Sequence, residues 1–148
     1  MASKATRPAA SNGEIARELW TSINDGDFSV VDKYVSEDYV EHDPNAPEEI
    51  RGREGFRQNI EQYFAAFPDM VMTMEDLIEE DDKVVTRWSG TGTHKGELLG
   101  IAPTDKPISV TGLEIERYED GMLVEAWSNF DVLGLMRQLG AIPDEMGA

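Results

Sequence analysis

The apolar residues of this chain change their spacing near Pro68, from a helical repeat of about 3.6 residues to a strand repeat of about 2, and that switch limits the fold most. Ahead of it, Ile15, Leu19, Trp20 and Ile23 share one helical face, behind a Ser11 and Glu14 spaced as a capping box. Asn24-Asp25-Gly26-Asp27 ends that helix, and Phe28, Val31 and Val35 mark a short second one starting from an Asp27 cap. Tyr39 to His42 reads as extended and is stopped by Asp43-Pro44. A third helix carries Phe56, Ile60, Tyr63, Phe64 and Phe67 as a buried stripe. Beyond Pro68, strands are predicted near 70–80, 83–95, 106–118 and 122–131, with turns at Asp81-Asp82 and Asp120-Gly121 and a short apolar helix after them.

Helices followed by antiparallel strands make an α+β order. The expected architecture is a cone: a curved antiparallel sheet of four to six strands, covered by three N-terminal helices, plus the short C-terminal helix. The expected organisation is a flexible arm over 1–11, one domain over 12–140 and a flexible tail over 141–148.

Charge excludes several roles. With 13 Lys and Arg against 30 Asp and Glu, a net charge of −17, the chain lacks the basic clusters that phosphates or an anionic membrane surface require. No run approaches the roughly 20 apolar residues of a spanning helix, and the first residues carry no secretory pattern, so a soluble, cytoplasmic protein is expected. The acidity fits either a salt-adapted cytosol or an ordinary acidic protein. Zero cysteines exclude disulfides and thiolate chemistry. His42 and His94 have no metal-ligand spacing, and no phosphate-binding or nucleophile-elbow motif is present.

Strand alternation sorts the remaining polar residues by face. Glu125, Trp127, Asn129 and Asp131 share one row of the last strand, and Val124, Ala126, Ser128 and Phe130 the other. The first row reads as a pocket wall with Asp131 desolvated inside it, or as a solvent face with Asp131 capping the following helix. Trp88, Gly90, Gly92 and His94 share a row in which two glycines either leave room for a ligand or let the strand bend. The expected cone mouth is lined by Trp88, Trp127, Asn129, Leu113 and Ile115. Glu119-Asp120-Gly121 is read as a three-residue hairpin loop pairing Tyr118 with Met122, which sets Ile115 opposite Glu125. A two-residue loop would oppose Glu116 to Glu125, a repulsive pair. The apolar row Val124, Ala126 and Phe130 then faces outward and calls for a homodimer.

In this order, Glu41-His42-Asp43-Pro44, Ala66-Phe67-Pro68-Asp69, Arg87-Trp88 with Gly92-Thr93-His94-Lys95-Gly96-Glu97, Leu99 to Thr104, and Asp120-Gly121 with Glu125-Ala126-Trp127 and Asp131 resemble the SnoaL-like polyketide cyclase (ester cyclase) family, of the nuclear-transport-factor-two-like superfamily. The resemblance implies intramolecular aldol closure of a small hydrophobic carbonyl compound, without metal or organic cofactor. It places the acid–base role on Asp131 and carbonyl polarisation on His94, with His42 as a third catalytic candidate. A non-catalytic protein binding a small hydrophobic ligand remains the alternative. A limonene-epoxide-hydrolase-like reading is a further one, for which Arg117-Tyr118-Glu119 lacks the R-x-D spacing.

Overall fold

Helix α1 (Asn12–Asn24) begins where the sequence puts its cap: the Ser11 side chain accepts the Glu14 N–H at 3.1 Å. The computed structural model describes residues 10–143, so the arm expected over 1–11 and the tail over 141–148 lie almost wholly outside the described residues. Helix α2 (Ser29–Tyr34) starts one residue past Phe28, and Asp27 still accepts the Ser29 N–H at 3.0 Å. The chain then runs through β1 (Val35–His42), β2 (Ile50–Arg51), α3 (Gly52–Ala66), β3 (Val71–Glu80), β4 (Lys83–Thr93), β5 (Pro107–Glu119), β6 (Met122–Phe130) and α4 (Val132–Gln138). None of the described helices is long and apolar enough to cross a membrane.

The sheet is not the expected antiparallel cone. Its six strands follow the order β2-β1-β6-β5-β4-β3, the end strands β2 and β3 do not pair with one another, and β1 lies parallel to β6. The sheet is therefore open and mixed. The cause is the path of the chain: β1 pairs with the last strand, joined to it only through α3 and the whole β3–β5 meander, and nothing local in the sequence marks so distant a partner. The two edges are blunted, β2 by its two-residue length and β3 by Glu75, Asp76, Glu79 and Glu80.

All four helices pack on one face. Ile15, Ala16 and Leu19 of α1 and Val30 and Val31 of α2 bury against Val84, Tyr118, Leu123 and Ala126, while α4 sets Leu135 and Leu139 beside Phe67 and Ile108. The even-numbered rows of β4, β5 and β6 therefore face the helices, and Leu113, Ile115, Trp127 and Asn129 face away. This reverses the expected assignment for β5 and β6. Ala126 and Phe130, expected on the outside, are on the helix side.

Register explains the reversal. The loop is Asp120-Gly121 alone, with φ of 50° and 76°, so both residues adopt the left-handed values of a primed hairpin turn, and Glu119 pairs with Met122. A bulge then passes over Val124, so that Tyr118 opposes Leu123 and Arg117 opposes Glu125. The extra residue removes the glutamate–glutamate clash of a regular two-residue hairpin and installs an ion pair, Arg117 Nη2 to Glu125 Oε1 at 3.1 Å. Odd rows still pair with odd rows, Ile115 with Trp127 and Leu113 with Asn129, but on the outer face.

On the helix side Trp88 lies flat over Gly112, where a Cβ would stand 2.5 Å from the indole Cζ2 and 2.9 Å from the Asn129 carbonyl oxygen. Trp88 also approaches Trp20 (6.1 Å between ring centroids) and Phe130 (6.2 Å). Gly112→Ala is expected to cost about 2 kcal/mol by forcing this ring off its seat, lowering the melting temperature by about 6 °C. Thr111→Ala, on the exposed outer row, is expected to change it by no more than about 1 °C. Equal melting curves for the two variants would overturn the close-approach account.

Candidate active site

Between the sheet and helices α1, α3 and α4 lies a cavity of about 160 Å³. Its walls are mainly apolar and aromatic: Trp20, Phe56, Tyr63, Trp88 and Phe130 each contribute to them. Polar groups enter from three strands. β1 brings Tyr39 and Glu41, with Asp43 just beyond its end; β5 brings Glu114 and Glu116; Ser128 of β6 pairs across from Glu114. Period-2 alternation produces both acidic rows, because Tyr39, Glu41 and Asp43, and likewise Gly112, Glu114, Glu116 and Tyr118, are spaced by two and share the helix-facing side.

Burial dominates the electrostatics of these carboxyls. Glu41 and Glu116, only 6% and 3% exposed, are each pushed up to about 7 by desolvation. The Asp43 charge adds to the effect at Glu41, and the Tyr118 hydroxyl, which donates to Glu116 Oε2 at 3.1 Å, opposes it at Glu116. Glu114, partly accessible through the cavity, is pushed well above the usual carboxylate range by burial and then by Glu116, Glu41 and Asp43. The phenols respond in the same way: burial drives Tyr39 well up and takes Tyr63 up to about 12, reinforced by the neighbouring carboxylates. Among the described residues lining the cavity there is no Lys, Arg or His to offset the negative charge. Within those residues the Tyr39 hydroxyl, Glu116 Oε1 and Trp88 Nε1 are buried without a well-formed hydrogen bond. Glu41 has one well-formed side-chain hydrogen bond, from Asn59 Nδ2 at 3.4 Å, and the neighbouring Tyr39 hydroxyl opposes its upward shift.

Of the residues singled out from the sequence, Trp88 lines this cavity and the others do not. Asp131 is exposed and caps α4, its Oδ1 accepting the Gly134 N–H at 2.9 Å. The helix starts immediately after β6, and its free N–H groups claim the carboxylate before the cavity can. His94 is fully buried behind Phe67, with a ring-centroid separation of 5.6 Å, and its Nδ1 accepts the Thr104 backbone N–H at 3.2 Å with the Thr104 hydroxyl at 3.0 Å. It ties the 94–106 connection to the sheet. His42 lies on the outer face, stacked on Trp127 at 5.6 Å, with Nε2 at 2.7 Å from Glu125 and Nδ1 at 3.4 Å from Glu49. Parallel pairing of β1 with β6 brings His42, Trp127 and Glu125 together, on the side of the sheet away from the cavity. Leu113 and Asn129 also project from that side, as does Ile115.

Known proteins resemble this chain over most of its length. The family model of SnoaL-like polyketide cyclases matches residues 14–139. The chain belongs to the SnoaL-like polyketide cyclase family. It is 30% identical over 129 residues to the nogalonic acid methyl ester cyclase of Streptomyces nogalater, covering 86% of this chain and 96% of that one. Among solved structures, TsrD from Streptomyces laurentii is 34% identical with a TM-score of 0.79, over 93% of this chain and all (100%) of that one. IdmH from Streptomyces antibioticus is 32% identical with a TM-score of 0.77, covering 88% and 99% respectively. Membership supports cyclase-type enzyme activity and cofactor-free acid–base chemistry on a small carbonyl compound. Among the described residues, no group of three or more His, Cys, Asp or Glu is placed to hold a metal ion.

For this SnoaL-like chain, residue-level reading missed Glu41, Glu114 and Glu116. The available signal was their spacing: two acid residues at i and i+2 between Gly112 and Tyr118, in a strand whose other row is aliphatic. Two expectations follow from the geometry. As a cap, Asp131 tolerates Asn but not Ala, so Asp131→Ala should lose about 1 kcal/mol of stability and Asp131→Asn only a few tenths, measured by denaturant unfolding. Glu116 binds its proton more tightly in the folded chain, about 7 against 4.5, so its contribution is full below about 4.5 and is lost as pH rises through about 7. Glu116→Gln should thus raise the melting temperature by about 6 °C at pH 8, on the order of 2 kcal/mol, and leave it nearly unchanged at pH 4. A pH-independent difference in calorimetry would contradict this.

Proposed function

We propose that the protein is an acid–base cyclase that closes a ring in a small, largely apolar carbonyl compound bound in the cavity, and that its proton-transfer groups are Glu41 and Glu114. The observation that carries this reading is a set of carboxyls from β1 and β5 inside an otherwise apolar cavity, shifted apart in acidity. Glu114 rests as the neutral acid and donates to the substrate carbonyl oxygen, where enolate charge develops. Glu41, titrating near neutrality, accepts the proton from the carbon next to that carbonyl. The enolate carbon then forms the new C–C bond with a second carbonyl, whose oxygen takes up a proton. Electrons and protons balance without an oxidant or a metal. Glu116 carries the Tyr118 hydrogen bond and sets the field at Glu114.

The test is turnover of nogalonic acid methyl ester, the compound for which the Streptomyces nogalater relative is named. Glu114→Gln should lower kcat at least about 100-fold while changing ligand affinity less than about threefold, because the amide keeps the shape but cannot deliver the proton. Glu41→Gln should abolish the rising limb of the rate near pH 7. Full activity in both variants removes the assignment. Binding without turnover in the wild type returns the protein to a ligand-carrying role. Asp131→Asn is expected to stay active.

The reading extends to assembly. On the outer face Leu113 and Ile115 are 53% and 38% exposed, in the row that holds Trp127, and a second copy of the chain would cover this strip. The motive for a dimer thus moves from Ala126 and Phe130 to the opposite row. Light scattering should report twice the chain mass in the wild type and a smaller species for Leu113→Glu.

A further inference from the structure

We infer that the cavity accepts a ligand bearing a basic, protonated nitrogen on an apolar ring body, and that it discriminates by charge against carboxylates. The inference stands on the composition of the cavity and not on the proposed turnover. Every charged side chain that reaches the lining is acidic: Glu41 and Asp43 from the β1 side, Glu114 and Glu116 from β5. The other titratable groups facing them are phenols, Tyr39, Tyr63 of α3 and Tyr118, which cannot supply positive charge.

Six of the chain's cations are committed elsewhere. Lys33, Arg53, Arg57, Arg87, Lys95 and Arg117 all pair with carboxylates outside the cavity. An ionised pair of glutamates therefore meets no cationic side chain in the cavity lining, and His42 acts on Glu41 only from the opposite face of the sheet. A second feature points to a ligand independently: the Tyr39 side chain lines the cavity and is 1% exposed, and its hydroxyl, though close enough to Glu41 to influence it, makes no well-formed hydrogen bond among the described residues. Glu116 Oε1 likewise lacks one. An ammonium donates hydrogen bonds to such acceptors and neutralises the carboxylates. The faces of Trp20 and Trp88 attract the same cation, and the remaining aliphatic and aromatic wall takes the ring body. A carboxylate meets the reverse: like charge and no basic partner. A neutral carbonyl compound is neither attracted nor repelled by charge, so a substrate of the proposed reaction that also carries an amine satisfies both requirements.

The experiment compares three probes of one shape by titration calorimetry at pH 7.5: 2-(aminomethyl)naphthalene, 2-naphthalenemethanol and 2-naphthoate. The amine should bind at least tenfold tighter than the alcohol, and the carboxylate at least tenfold weaker than it. Amine affinity should rise from pH 5.5 to 8 as the glutamates ionise, with proton release on binding. The double variant Glu41→Gln, Glu116→Gln should weaken the amine at least tenfold and the alcohol less than threefold. Equal binding of amine and alcohol, tighter binding of the carboxylate, an unchanged preference in the double variant, or no binding of any probe overturns the inference. Alcohol binding without an amine preference overturns it while leaving the proton-transfer reading intact. Loss of that reading, through undiminished turnover in Glu114→Gln, would leave the charge preference standing.

Discussion

The pairing of Arg117 with Glu125 decides which half of the sheet becomes a cavity wall. Strands β5 and β6 each carry one aliphatic or aromatic row and one mixed row, and hydrophobicity alone would bury Leu113, Ile115 and Trp127. A tight Asp120-Gly121 turn followed by a bulge at Val124 instead sets a cation opposite a glutamate on the outer face. Opposite charges facing across antiparallel strands stabilise the pair, whereas the regular register would have opposed Glu116 to Glu125. With that register in place, Gly112, Glu114, Glu116, Ala126, Ser128 and Phe130 all point at the helices. Trp88 then finds the bare backbone of Gly112 beneath it, and the cavity forms around that contact.

Much of the secondary structure was legible because it rests on local physics. The Ser11 cap, the Phe56 to Phe67 stripe before Pro68 and the alternating β-branched runs of β3 to β6 appear where their spacing puts them. The parallel β1–β6 pair was not, since its partners are separated by most of the domain and parallel pairing leaves no turn signature. The openness of the sheet follows from that missed pairing. The face of β5 was misread for a different reason. Leu113 and Ile115 outrank Glu114 and Glu116 on any hydrophobic scale, yet burial is assigned by strand register, and a single bulge outweighs several kilocalories of apparent preference.

The cavity lining was hidden for the same reason in miniature. Family resemblance put the acid–base role on Asp131, with helix capping as the other reading of that residue, and the carboxylate is found accepting an N–H group of the helix that begins there. His94 looked like a pocket donor because two glycines precede it. Gly92 is explained by Phe67, which a Cβ would approach at 3.0 Å, and the imidazole beyond it is spent on Thr104. Family likeness bears on the kind of chemistry, and geometry adds which carboxyls line the cavity.

Burying three glutamates is costly unless they are neutral, and this explains the division of labour inside the cavity. A lone desolvated carboxyl would simply stay protonated and act only as an acid. Here the upward push is unequal: like charge from Glu116, Glu41 and Asp43 adds to burial at Glu114, whereas the Tyr118 hydrogen bond offsets burial at Glu116. One neutral donor and one nearby base are the two things enolisation requires at the same pH. On the proposed reading one residue type supplies both functions through unequal like-charge repulsion rather than through burial alone, and neither histidine lines the cavity.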